Sequence, residues 1–242
     1  MDKGDFYSEQ FKIRSSESAP SGRVKLQSVC DLLQETAGNH ALELNFDISQ
    51  LHEQNLTWVL QRLTVEMNRY PKWRDTVTVQ TWPSSGDSLR AYRDFLMLDE
   101  NENELGRAIS YWIIIDLESR RPVRIPEEIL ELAPASVDHV LPVTKERLDK
   151  KSRYDDSKTF DVRRSDLDVN RHVNNVKYIE WALEAYPELM EVTRLDIEFH
   201  AECSYGDRIL SKIADAGAGR KSHLITRLED DKMLALAATS IE

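Results

Sequence analysis

The sequence is short of every residue pattern that would hold a fold together by cross-links or metal. It has only two cysteines, Cys30 and Cys203. That is too few for a disulfide framework, and unpaired thiols fit a reducing compartment. Neither lies in a CxxC or Cys/His spacing, and no HExxH or EF-hand spacing occurs, so no metal is expected. No cofactor is expected either. No apolar run approaches the roughly 20 residues needed to cross a bilayer. Residues 1–16 lack the apolar core of a secretion signal and are too acidic for a transit peptide. A cytoplasmic chain with no membrane association is therefore expected. Positive charge is in deficit too: 32 Lys and Arg stand against 43 Asp and Glu, a net charge of -11. A nucleic-acid partner, which wants a basic face, is not expected.

What is present is ample apolar material. Of 242 residues 40% are hydrophobic, spread along the chain, with 31% charged. This supports a folded core of one large domain or two small ones. A diverged internal repeat favours two. Arg62-Leu63-Thr64-Val65-Glu66 matches Arg194-Leu195-Asp196-Ile197-Glu198, and residues 63 and 195 stand 132 apart. Carried forward without a gap, Asp75 falls on Asp207 and Val77 on Ile209. Upstream, Phe11-Lys12-Ile13-Arg14 resembles Phe160-Asp161-Val162-Arg163 at a spacing of 149, and Val24 then falls on Val173. The first copy thus carries 17 extra residues between the anchors, placed around residues 44–55.

Each copy has the same coarse order. A short strand (6–14; 158–163) precedes a helix (25–44; 174–184) whose apolar residues fall on one face. Long alternating strands follow, at 57–68, 76–83, 89–99 and 105–116 in copy one. In copy two they fall at 194–204, 208–216, 222–228 and 233–241. Turn residues such as Ser84-Ser85-Gly86-Asp87 and Gly217-Ala218-Gly219 separate them. One helix followed by an antiparallel meander is an α+β pattern. Residues 1–125 and 155–242 form the two expected domains. Residues 126–154, with three prolines and the charged run 145–151, read as an exposed, partly helical linker.

The densest polar cluster, Asp166-Leu167-Asp168-Val169-Asn170-Arg171-His172-Val173-Asn174-Asn175, lies where copy two passes from first strand to helix. Asp and Asn close turns and cap helices, so a local structural role is the plain alternative. Copy one argues for chemistry instead. There Ala19, Ser21 and Arg23 face Asp168, Asn170 and His172, while Ser16 and Val24 still match Ser165 and Val173. Similarly Tyr70 faces Glu202. The frame is shared, and the ionisable set occurs once. An imidazole titrating near neutrality, carboxylates and an amide able to hold an oxyanion suit general-base activation of water on a reactive carbonyl such as a thioester. No GxSxG elbow supports an acyl-serine route. Cys203 shares strand parity with Leu195, Ile197 and Phe199 and reads as a buried small residue rather than a nucleophile. Glu202 has the opposite parity, with Glu198 and His200, and His200 reads as surface.

The run from Asp166 through Trp181 resembles the signature of the acyl-acyl carrier protein thioesterases. Residues 195–203, ending in Glu202-Cys203, are similar to that family's second motif, and residues 56–60 and 73–77 also look familiar. Lacking a plastid-targeting extension, the chain resembles the bacterial branch. The resemblance implies tandem hot-dog domains, each a long helix wrapped by a curved antiparallel β-sheet. It implies hydrolysis of acyl carrier protein thioesters to free fatty acids. Asp168, Asn170, His172 and Glu202 are then the catalytic positions, with Glu202 or His172 managing the water. The family's sites usually form between two copies, leaving copy one to line the acyl chain with Leu32, Leu33, Trp58, Leu60, Trp82 and Tyr92.

Acyl carrier proteins are acidic, and residues 145–177 hold ten Lys and Arg against seven Asp and Glu. Docking of the carrier is expected there, on Lys150, Lys151, Arg153, Arg163, Arg164 and Arg171. Acyl-coenzyme A hydrolysis, a hot-dog dehydratase and a non-catalytic acyl-binding protein are the alternatives. Acyl length is not legible, and the oligomeric state is open, a homodimer included.

Overall fold

The computed structural model describes residues 6–134, 137–168 and 170–241, and it divides the chain into two compact units, residues 1–144 and 145–242. In the first unit, β1 (Tyr7–Lys12) leads to α1 (Leu26–Glu43) and α2 (Ile48–Glu53). The sheet strands follow: β2 (Leu56–Met67), β3 (Thr76–Ser84), β4 (Ala91–Leu98) and β5 (Glu104–Asp116), with short β6 (Pro122–Val123) and α3 (Glu127–Leu130). Their spatial order is β1-β3-β4-β5-β2, all antiparallel, with β6 on β5. In the second unit, β7 (Asp156–Asp161) precedes α4 (Asn175–Glu184), then β8 (Val192–Phe199), β9 (Arg208–Gly217), β10 (Arg220–Arg227) and β11 (Met233–Ile241). Their order is β7-β9-β10-β11-β8, again antiparallel. The topology of the first unit is thus repeated strand for strand.

The register makes the repeat quantitative. Tyr7 pairs with Thr81 and Lys12 with Thr76. Asp156 pairs with Ile213 and Asp161 with Arg208. Each residue of the second pairing lies 149 or 132 positions beyond its counterpart, the two spacings read from the sequence. The extra residues of copy one also have a form. Helix α1 has 18 residues where α4 has 10, and α2 is added after it. Asp47 starts α2 by accepting the N–H groups of Ser49 and Gln50.

Both helices bury the apolar stripe their spacing encodes. Leu26, Val29, Leu32, Leu33 and Thr36 of α1 are buried, and α1 packs on β1 and β3. Val176, Ile179 and Trp181 of α4 are buried, and α4 packs on β9 and β10. Asn174 caps α4 through the Val176 N–H. Among the described residues no helix is long and apolar enough to cross a membrane.

Two expectations need correction. The segment 126–154 is not simply exposed. Ile129 packs with Leu51, Ile114 and Ile125, and Leu141 with Tyr92, Ile109 and Tyr111. The Val140 N–H reaches Asp94 and the Thr144 N–H reaches the Tyr111 hydroxyl. Its flanking prolines and charges disguise the short apolar run Val140-Leu141-Pro142-Val143. The helical part of the segment is α3, and the charged run 145–151 has no regular structure. Secondly, β8 ends at Phe199, so Glu202 and Cys203 stand beyond the strand and their parity carries no meaning. Glu198, given the parity opposite Leu195 and Ile197, is buried, as is Asp196, and Glu198 accepts the Leu148 N–H.

Candidate active site

The loop into α4 is built twice with one backbone. In copy one the Ala19 N–H donates to the Arg23 carbonyl (2.7 Å), Gly22 N–H to Ala19 (2.8 Å) and Lys25 N–H to Glu17 (2.8 Å). In copy two the Asp168 N–H donates to His172 (2.8 Å), Arg171 N–H to Asp168 (3.0 Å) and Asn174 N–H to Asp166 (2.9 Å). The bridges Ser18–Val24 and Leu167–Val173 close both loops. Each donor and acceptor lies 149 residues from its counterpart. The loop of copy one closes with alanine at the position of Asp168. The polar side chains of copy two are therefore not required by this backbone.

Those side chains are disposed as follows. One Asp168 carboxylate oxygen accepts the Asn170 N–H (2.8 Å) and the His172 N–H (3.1 Å). The structure thus gives Asp168 a positioning role: it gathers the backbone beneath the other two. The Asn170 carboxamide and the His172 imidazole have no hydrogen-bond partner among the described residues. His172 is exposed and Asn170 half-buried. The closed loop thus carries a carboxamide and an imidazole that no described residue engages. Val169, within the same motif, lies outside the described residues.

Glu202 comes to the same helix by another path. On the second turn of α4, the Tyr178 hydroxyl accepts the Cys203 N–H (3.1 Å) and lies 3.1 Å from Cys203 Sγ. This clamps the chain just after β8 to α4; burial, then Cys203, hold the Tyr178 phenol protonated, and Glu202 adds a smaller push the same way. Glu202 itself is exposed. So the loop holds Asp168, Asn170 and His172 together, and Tyr178 fixes Glu202 to the helix they precede. Cys203 is buried, and burial pushes its thiol up to about 11. At neutral pH it is a thiol, with no nucleophilic character to offer.

Arg171 marks strain in the loop. Its φ is +64°, where copy one has Gly22 at +80°. The left-handed conformation costs a non-glycine residue about 1–2 kcal/mol. Glycine's extra unfolded freedom returns about 0.4–1 kcal/mol of that. Arg171→Gly should therefore raise stability by about 0.5–1 kcal/mol, read as a higher urea midpoint. A lowered midpoint would show that the guanidinium holds the loop.

The six candidate lining residues of copy one divide between two faces. Leu32 and Leu33 are buried on α1. Trp58 and Leu60 share the face of Ile114, Trp112 and Arg93 by register, and His40 of α1 meets Arg93 at 2.9 Å. Trp82 and Tyr92 are on the other face, with Asp94: Trp82 pairs with Asp94, and Tyr92 lies beneath Leu141. Trp58 and Leu60 therefore lie on the sheet face that α1 reaches through His40, and Trp82 and Tyr92 do not. Strand alternation had assigned no face to the helix, so the sequence did not distinguish them. Of the basic residues, Lys150, Arg153, Arg163, Arg164 and Arg171 are exposed and Lys151 is half-buried. Arg163, Arg164, Ser165, Tyr205 and Gly206 line a surface groove, with Arg164 stacked 4.8 Å over the Tyr205 ring. Tyr178 and Tyr205 were not singled out in the sequence; only their places beside the two motifs pointed to them. Among the described residues no group of three or more His, Cys, Asp or Glu is arranged to hold a metal ion.

One helix on an antiparallel sheet, made twice, with Asp, Asn and His together in the loop of the second copy alone, defines a tandem hot-dog chain. Residues 4–133 match the acyl-ACP thioesterase N-terminal domain and residues 149–241 the acyl-ACP thioesterase C-terminal domain. The chain belongs to the acyl-ACP thioesterase family. It is 36% identical over 249 residues to a chloroplastic palmitoyl-acyl carrier protein thioesterase of Cuphea hookeriana, covering 94% of this chain and 60% of that relative. The chain thus spans less than two thirds of that relative's length. The crystal structure of an acyl-ACP thioesterase from Bacteroides thetaiotaomicron matches with a TM-score of 0.88 at 26% identity, over 98% of both chains. The 12:0-ACP thioesterase from Umbellularia californica matches with a TM-score of 0.87 at 26% identity, over 98% of this chain and 97% of that one.

Proposed function

We propose that the chain hydrolyses fatty acyl thioesters carried by an acyl carrier protein, releasing the fatty acid and the carrier thiol. Family membership and the names of the relatives support the reaction class. One observation carries the site. The second-copy loop is closed by the same backbone bonds as its counterpart, yet it presents an unengaged imidazole and carboxamide that the first copy lacks.

In this reading a water attacks the thioester carbonyl carbon while His172 or Glu202 takes its proton. The Asn170 N–H groups hold the oxyanion that forms. The tetrahedral intermediate collapses, the C–S bond breaks, and the departing thiolate takes the proton that the base had removed from the water. Asp168 keeps the backbone of residues 170 and 172 in place. The apolar chain is assigned to the interior of the first unit near Leu32, Leu33, Trp58 and Leu60. The exposed cations at 150, 153, 163, 164 and 171 receive the acidic carrier, steering encounter more than adding affinity. Two unpaired buried thiols fit a cytoplasmic setting.

Thiol release from one acyl chain presented on acyl carrier protein and on coenzyme A tests the reading, repeated over chain lengths. Turnover on the carrier should exceed that on coenzyme A. The triple variant Lys150→Glu, Arg153→Glu, Arg164→Glu should raise KM several-fold for the carrier substrate alone. Equal turnover on both thiols, or an unchanged KM, would place carrier recognition elsewhere.

A further inference from the structure

A second polar constellation lies in the first unit. Ser85 is exposed in the turn that follows β3. Its Oγ is 3.0 Å from Nε2 of His139. The Nδ1 of the same imidazole is 2.8 Å from Oδ2 of Asp94, a fully buried carboxylate on β4. The other Asp94 oxygen accepts the Val140 N–H (3.1 Å). A carboxylate at Nδ1 fixes the proton there and leaves Nε2 as an acceptor. Nε2 then faces the Ser85 hydroxyl, the relation in which an imidazole takes a serine proton. Tyr92 packs edge-on against the ring at 5.8 Å, so the imidazole is held on a further side.

The turn carrying Ser85 is also defined. The Asp87 N–H donates to the Arg90 carbonyl, and the Asp87 carboxylate accepts the N–H groups of Leu89 and Arg90. Gly86 is required: a Cβ there would stand 2.3 Å from the Arg90 carbonyl oxygen. The Gly86 N–H has no hydrogen-bond partner among the described residues. It follows the serine by one residue, the position that supplies an oxyanion donor in serine hydrolases. Anchoring residues 139–144 to the sheet needs only the Asp94 contacts. It needs neither Nε2 on a serine hydroxyl nor a spare amide beside it.

We propose that Ser85 is a nucleophile activated by His139 and Asp94, and that it accepts acyl or phosphonyl groups from small activated esters. Ser85 Oγ attacks the carbonyl carbon as its proton passes to His139 Nε2. The bond to the leaving phenoxide breaks, and that phenoxide takes the proton from the imidazolium. Water then attacks the acyl-serine with His139 again as base, giving the carboxylic acid and free Ser85. Exposure of the serine at a turn suits a compact acyl group rather than a long chain. This activity is separate from the thioester site of the second unit.

The full chain, treated with a fluorophosphonate probe and digested for peptide mass spectrometry, should carry one label, on Ser85. p-Nitrophenyl acetate should give a burst of one phenolate per chain. Ser85→Ala should remove label and burst while leaving thiol release from acyl carrier protein substrates unchanged. His139→Gln, whose carboxamide can still donate to the buried Asp94 but cannot act as a base, should slow labelling about 100-fold or more. Absence of label on Ser85, or labelling of Ser85 at an undiminished rate in His139→Gln, overturns the proposal.

Discussion

His172→Ala and Glu202→Ala are expected to abolish most thioester hydrolysis while leaving the fold intact. Loss of a general base lowers kcat by about 10²–10⁴-fold. Asn170→Ala should cost about 10²-fold through the oxyanion. Unfolding midpoints should move little, because backbone bonds already close the loop and both ionisable side chains are exposed. Cys203 offers no substitute route, being buried and protonated at neutral pH. Full activity in both variants would remove the proposed water activation.

The second large effect concerns stability. Ile114 is fully buried on β5 and gathers Leu51 of α2 with Ile125 and Ile129 around α3. Among the described residues the second unit has no counterpart to these short helices. Ile114→Ala therefore leaves a cavity where the added elements of copy one meet the sheet. A loss of about 2–5 kcal/mol is expected, read from urea unfolding. A loss under about 1 kcal/mol would mean the cluster collapses around the missing methylenes.

Much of this was legible because duplication writes the same physical constraint twice. Residues 7–12 and 156–161 form equivalent edge strands because the spacing of 149 carries the same alternation into the same register. The loop of residues 168–172 stood out because its frame matched residues 19–23 while its chemistry did not. Legibility stopped where a contact depends on chain distant in sequence. The end of β8 was overrun because Ala201 and Cys203 continue an apolar alternation that the turn at residues 204–207 interrupts. Buried Glu198 could not be foreseen without the chain at Leu148 that hydrogen-bonds it. Trp82 and Tyr92 read as equivalent to Trp58 and Leu60 until the register set them on opposite faces. The Ser85–His139 contact spans 54 residues and the His139–Asp94 contact 45, so no motif spacing announces either.

The most direct test grafts the first copy's loop onto the second: Asp168→Ala, Asn170→Ser and His172→Arg together, assayed for thiol release from an acyl carrier protein substrate. These side chains already stand on the same backbone in copy one, so the variant should fold. The account predicts a folded protein whose thiol release falls by about 10²-fold or more. A folded graft that hydrolyses the substrate as the parent does would contradict it.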